Sequence, residues 1–233
     1  GTRVNAPDGY SDLAIAELSR KSGFDLKPAR NFVEASSDLG AFVTFSGILK
    51  RIAVKLSKIC NDLRLLGSGP RAGLAEIKLP AVQAGSSIMP GKVNPVIPEV
   101  VNQVCFQVIG NDLTVTMAAE AGQLQLNAME PVMAYNLLES IRILKNAVEA
   151  LTENCVKGIT ANPDRCAALL DNSLVLATAL APYLGYDAAA AIAKEALASG
   201  RSIRAVLEET GQLSADKTDK ILRNAAMLKG PER

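Results

Sequence analysis

Two adjacent hydroxyls, Ser86 and Ser87, a cation, Lys92, and an amide, Asn94, are gathered into one glycine-punctuated run, Gly85-Ser86-Ser87-Ile88-Met89-Pro90-Gly91-Lys92-Val93-Asn94-Pro95. Lys92 supplies positive charge, Ser87 and Asn94 supply neutral donors, and Gly85 and Gly91 let backbone N–H groups approach a ligand closely. These are parts for holding an anion with a hydroxyl beside it. The run closes the longest stretch without clear helical periodicity, from about Gly67 to Pro95. An irregular segment of that length inside a compact helical chain is functional or disordered, and Leu74, Ile77, Leu79, Ile88 and Met89 argue against disorder. By residue type alone, Gly-Ser-Ser also reads as a turn whose hydroxyls bond backbone, Asn94-Pro95 as a plain turn and Lys92 as a solvated lysine.

Several chemistries are excluded. Gly85 and Gly91-Lys92 superficially match a phosphate loop, but five residues separate the glycines, Val93 stands where a magnesium-binding hydroxyl is needed, and no strand pattern precedes the run. Histidine is absent, which removes a histidine base, a Ser-His-Asp triad and histidine metal ligation from this chain. Cys60, Cys105, Cys155 and Cys166 are widely spaced and form no C-x-x-C pair, so no zinc site and no cofactor are expected. They read as small buried hydrophobes suited to a reducing compartment. Lys plus Arg total 25 against 24 for Asp plus Glu, with no Trp. That balance gives no field for nucleic acid or an anionic membrane, and little aromatic surface for base stacking. With no long uncharged apolar stretch and no signal-like N-terminus, the expectation is a soluble, cytoplasmic protein.

The elements that must position the run are long helices. After a short amphipathic helix near Ser11–Lys21, a second is expected from about Ser37 to Leu66. Its Phe42, Phe45, Leu49, Ile52, Leu56, Ile59, Leu63 and Leu66 alternate spacings of three and four, a heptad seam. At about 1.5 Å per residue, some 30 residues make a rod of about 45 Å. Another long helix is expected from Pro98 to about Ala121. No Lys or Arg occurs between Lys92 and Arg142, and a helix without a charged face is normally surrounded by protein. Its Gln103, Gln107, Asn111 and Thr114 recur on one side and need hydrogen-bond partners, expected from a neighbouring subunit. A further helix from about Pro131 to Val156 carries Leu137, Leu138, Ile141, Leu144, Val148 and Leu151, with Gly158 past its end. From Asn162-Pro163 onward the helices shorten, punctuated by Gly185, Gly200 and Gly211, with N-caps expected at Asn162, Asp187, Ser202 and Ser214. The expected fold is all-α. A long-helix bundle over 1–160 carries the irregular segment 67–95, a small helical domain follows over 161–233, and neither strands nor repeats are expected.

The eleven-residue run resembles the signature of the aspartase/fumarase superfamily, whose members cleave a C–N or C–O bond and release fumarate. Argininosuccinate- and adenylosuccinate-cleaving members tend to carry two basic residues after Met-Pro; here the tract reads Gly91-Lys92-Val93-Asn94, which points to the branch handling small dicarboxylates. Lys58-Ile59-Cys60-Asn61-Asp62-Leu63-Arg64-Leu65-Leu66 and Ser68-Gly69-Pro70-Arg71-Ala72-Gly73-Leu74 are similar to the segment before the signature. Gly122-Gln123-Leu124-Gln125-Leu126-Asn127-Ala128-Met129-Glu130-Pro131 resembles the aspartase form more than the fumarase form.

The resemblance implies elimination of ammonia from L-aspartate to fumarate. Such a reaction builds a dianionic aci-carboxylate, so its central difficulty is electrostatic: donors and positive charge must face the carboxylate, with a base about 3 Å from the proton. By residue-to-residue correspondence Ser86 is the catalytic general base, acting as an alkoxide, and Ser87, Lys92 and Asn94 bind the substrate carboxylate. The glutamate matching Glu99 orients a histidine in fumarases; without histidine, Glu99 is a partner of the helix dipole. Gln125, Asn127 and Glu130 stand between substrate contact and subunit contact, and Arg71 reads as an interface or loop-anchoring cation. The family also implies a homotetramer with active sites shared between subunits, each built from three regions, of which this chain holds the third. The chain is therefore expected to be a fragment, inactive alone. Fumarase activity and a non-catalytic helical assembly module are the alternatives.

Overall fold

The structure, a computed structural model, describes residues 3–83, 85, 89 and 92–226. Among these the chain is all-α apart from one pair of two-residue strands. Helices α1 (Tyr10–Ser22), α2 (Phe32–Ala35) and α3 (Gly40–Leu66) come first, followed by β1 (Ile77–Lys78), α4 (Val96–Glu120) and α5 (Glu130–Asn154). Then come β2 (Thr160–Ala161), α6 (Pro163–Asp171), a 3-10 stretch at Leu174–Leu180, α7 (Ala181–Leu184), α8 (Tyr186–Ser199), α9 (Ile203–Thr210) and α10 (Ala215–Ala226). The strands pair antiparallel, Ile77 opposite Ala161 and Lys78 opposite Thr160; no alternating pattern announces a pair this short.

The chain forms two compact units, Gly1–Leu65 with Leu79–Ile159, and Leu66–Lys78 with Thr160–Arg233. In the first, α3, α4 and α5 share one core that includes Leu49, Ala53, Val101, Val108, Val115, Met133, Leu137, Leu144 and Leu151. In the second, Leu176, Leu180, Ile192, Ile203, Val206, Leu207, Ile221 and Leu222 form a separate core. Ser202 caps α9 as expected by accepting from the Ala205 N–H, and Gly200 and Gly211 adopt the left-handed conformation that ends α8 and α9, whereas Asp187 lies within the first turn of α8, whose N-cap is Gly185. Asn162 precedes α6 but makes no cap bond, because its side chain is used elsewhere.

The face α3 turns inward differs from the seam of large residues. Phe42, Phe45, Ile52 and Ile59 remain substantially exposed, whereas Ser46, Leu49, Ala53, Ser57 and Cys60 are buried. The reason is polar. The Ser46 hydroxyl donates to buried Asp112 of α4 at 2.8 Å, Lys50 reaches the other oxygen of that carboxylate at 2.5 Å, and Asn102 of α4 donates to the Ser57 carbonyl and hydroxyl at 3.0 and 2.9 Å. These pairs run in opposite directions along the two helices, so α3 and α4 are antiparallel. The polar side chains of α4 find partners within the chain: Gln107 donates to Asn111 at 2.8 Å, Asn111 to Ser140 of α5 at 3.0 Å, and Gln103 and Thr114 to carbonyls one turn back.

Asp112→Ala removes the acceptor for a buried hydroxyl, while half-exposed Lys50 can turn to water. The expected loss is about 1–3 kcal/mol in denaturant unfolding; an unchanged midpoint would show that the pair contributes nothing.

Cys60, Cys105 and Cys155 meet in the core of the first unit, all three buried, while Cys166 is exposed. Burial pushes the Cys60 thiol up to about 11, with the neighbouring Cys105 and Cys155 thiols adding to the rise, and burial raises Cys105 and Cys155 as well. A thiol whose folded pKa is raised stabilises the fold fully below its unfolded pKa. That stability fades as pH climbs from about 9 towards 11. One thiol, Cys166, is expected to react rapidly with a disulfide reagent at neutral pH, and the other three only on unfolding or at alkaline pH.

Candidate functional site

Two described residues of the site run, Gly85 and Lys92, come into close contact ahead of α4. A Cβ on Gly85 would lie 2.3 Å from the Lys92 carbonyl oxygen, nearer than any real Cβ contact, so only glycine permits this approach. The two ends of the 85–92 interval are thereby drawn together. The Lys92 N–H donates to the Met89 carbonyl at 3.2 Å, and the Val96 N–H to the Asn94 carbonyl at 2.9 Å as the chain turns into the helix. Lys92 and Asn94 are both exposed. Ser86 and Ser87 lie outside the described residues.

The start of α4 is tied to the end of α3. Arg64 donates to Asn102 at 3.3 Å and stands 4.0 Å from the Glu99 carboxylate, both side chains of that pair being well exposed. Glu99 also sits in the first turn of α4, where a carboxylate complements the helix dipole.

The connection between α4 and α5 separates the three residues read there. Asn127 is buried and tied down at both ends of its side-chain amide: its NH2 group donates to the carbonyls of Ala118 and Ala119 at 2.9 and 3.2 Å, its oxygen accepts from the Met129 N–H at 2.8 Å, and its backbone N–H donates to the Ser36 carbonyl at 2.9 Å. Asn127 is a structural clasp. Gln125 and Glu130 are exposed, the Gln125 carbonyl accepting from the Ser36 hydroxyl at 2.9 Å. Arg71 is exposed on the turn that follows α3. Sequence reasoning missed Arg165 and Asn162, whose side chains grip that turn; nothing in their local pattern signals bonds to carbonyls some ninety residues away. Among the described residues no group of three or more His, Cys, Asp or Glu is placed to hold a metal ion.

The family model described as Lyase matches residues 1–110, and the one described as Fumarase C C-terminus matches residues 176–229. Aspartate ammonia-lyase of Pseudomonas canavaninivorans is 59% identical over 228 residues, 98% of this chain and 48% of the relative. The chain belongs to the aspartase/fumarase superfamily. Aspartate ammonia-lyase of Escherichia coli K12 is 56% identical over 95% of this chain and 46% of the relative. Among solved superfamily structures, a fumarate lyase:delta crystallin from Brucella melitensis superposes with a TM-score of 0.91 at 62% identity, covering 99% of this chain and 50% of that one. A class II fumarase from Schistosoma mansoni gives 0.87 at 33% identity, covering 98% and 51%. The chain thus spans about half the length of the curated relatives it matches.

The Gly85 contact makes a direct prediction. Gly85→Ala must part the chain at Lys92, and the Lys92 amide is expected to exchange with solvent about tenfold faster or more while the α4 and α5 amides are unaffected. Unchanged exchange at Lys92 would mean that the contact does not hold the loop.

Proposed function

We propose that this chain carries the base-bearing region of an aspartate ammonia-lyase, which converts L-aspartate to fumarate and ammonia. What carries the reading is identity of 56–61% to aspartate ammonia-lyases along 90–98% of the chain, against 33% to the class II fumarase. Ser86, next to Gly85, removes the proton from the carbon beside a carboxylate. The electron pair passes into that carboxylate, and its return forms the double bond as the C–N bond breaks and ammonia leaves. Ser87, Lys92 and Asn94 hold the carboxylate while it carries the extra charge, which is where fixed donors lower the barrier most.

The active protein is a homotetramer in this reading, sited in the cytoplasm, with active sites completed by other subunits. Its support is the apolar surface that the first unit leaves uncovered: Phe42, Phe45 and Ile52 on α3, Phe106, Leu113 and Met117 on α4, and Tyr135 and Leu138 on α5. No single helix among the described residues is long and apolar enough to cross a membrane. Fumarase activity is the second reading, favoured by the Fumarase C C-terminus match over 176–229. The two differ by an amine against a hydroxyl at the leaving position, a small change unless a buried partner is left unpaired.

In a polypeptide of full aspartase length, ultraviolet absorbance of fumarate is expected to rise with aspartate and to stay near baseline with malate. Ser86→Ala is expected to lower turnover about 10²–10⁴-fold, the scale for losing a general base, with the far-ultraviolet spectrum unchanged. Fumarate from malate alone would move the assignment to fumarase. Near-normal turnover by Ser86→Ala would remove the base. A folded full-length oligomer that turns over neither substrate would leave an assembly module.

A further inference from the structure

The second unit holds a cavity that its own core does not fill. The same spacing builds two of its walls: Ala167, Leu170 and Asp171 on α6, and Asp219, Leu222 and Arg223 on α10, each stand at i, i+3 and i+4 and so share one helix face. On both helices a leucine is followed at once by a charged residue. Leu176 of the 3-10 stretch and Arg204, in the first turn of α9, complete the lining. The volume is about 230 Å³. That lies below the range of about 300–1,000 Å³ that accommodates drug-sized ligands, and suits a molecule of amino-acid size.

The lining is divided by chemistry. Leu176 and Leu222 are buried, and Leu170 packs against the same core, which makes the floor apolar. Around it stand two guanidiniums and two carboxylates. Arg204 and Asp219 bond one another. This occupies one nitrogen of the Arg204 guanidinium and leaves its others to donate. Among the described residues, neither Asp171 nor Arg223 is engaged in an ion pair, although both line this one cavity. The cavity thus offers an unpaired carboxylate, an unpaired guanidinium with a second guanidinium near it, and an apolar floor, and its charges cancel.

A ligand matched to this set is neutral overall, with an anionic group for the arginines, a cationic group for Asp171 and an apolar body for the leucines. We propose that the cavity binds a free α-amino acid with an aliphatic side chain. Its carboxylate is held by Arg223 and Arg204, whose planar forks match carboxylate geometry; its ammonium faces Asp171, and its side chain rests on Leu170, Leu176 and Leu222. Aspartate and fumarate fit worse, because each brings a second carboxylate to an apolar floor where no cation meets it. The proposal does not rest on the lyase reading.

The test is calorimetric titration of the whole chain with L-leucine. It is repeated with 4-methylpentanoate, which lacks the ammonium, with 3-methylbutylamine, which lacks the carboxylate, and with L-aspartate. L-Leucine is expected to bind at one site with a Kd of about 1 mM or tighter, and each of the other three about tenfold more weakly or worse. Arg223→Met and Asp171→Asn alter exposed side chains and are expected to keep the melting temperature of the free chain, while each weakens L-leucine about tenfold, the scale for losing one charge-assisted contact. No saturable binding of L-leucine by about 10 mM, binding of any of the three analogues as tight as that of L-leucine, or an unchanged Kd in either variant overturns the proposal.

Discussion

Three buried polar side chains on one helix set the register of the long-helix unit. Asn102, Asn111 and Asp112 of α4 each reach a different partner: Ser57 and Ser46 on α3, and Ser140 on α5. Apolar packing is non-directional, and a helix as uniformly apolar as α4 would otherwise rest almost equally well at neighbouring settings. Sliding it by one turn, about 5.4 Å, would leave three buried polar groups unpaired at about 1–3 kcal/mol each. That penalty exceeds what most rearrangements of the apolar residues return, so the hydrogen bonds select the register while the hydrophobic residues supply the bulk of the attraction.

Fixing α4 against α3 also fixes the two ends between which the site run must be strung. Leu66 ends one helix and Val96 begins the other, and Arg64, bonded to Asn102 and facing Glu99, ties the junction. Within that span the described residues are held at several points. The carbonyls of Gly73, Leu74 and Ala75 are held by Arg165 and Asn162, Pro80 is wedged on Gly158, and Gly85 touches Lys92. Described residues held in this way have less conformational entropy left to lose on meeting a ligand, which favours preorganised electrostatics.

Much of this was legible in the residues and some was not, for identifiable reasons. The long helices follow from the three-and-four spacing of large apolar residues, and their ends from Gly and Pro, because those signals are local. The buried face of α3 does not follow from size: Phe42 and Phe45 stay at the surface while Ser46 and Ser57 turn inward, drawn by polar groups on a helix more than forty residues away. Asn127, which could be read as a substrate or subunit contact, is a clasp with its side-chain amide and its backbone N–H in use, something only the folded connection reveals. Lys92 and Asn94 stand out because a cation, an amide, glycines and hydroxyls in one short run is a rare combination. Arg165 and Asn162 do not, because a side chain bonding to backbone requires nothing particular of the sequence at the other end.

The exposure of Lys92 and Asn94 constrains how the proposed chemistry can be completed. A unit charge about 4 Å from a carboxylate is worth about 1 kcal/mol in water and about 4 kcal/mol at an effective dielectric constant near 20. An aci-carboxylate formed by a serine base needs the larger figure from several groups at once, since an ordinary serine hydroxyl gives up its proton only far above neutrality. A loop open to solvent supplies the smaller figure. Stabilisation on the scale the reaction demands therefore requires the loop to be covered, and the residues that line its described part, all on this chain, do not cover it. The same first unit leaves large apolar side chains bare along α3, α4 and α5, a face suited to other helices of the same kind. Burying that face and enclosing Lys92 are then one requirement: the association that removes the apolar surface from water is also what would lower the dielectric around the carboxylate.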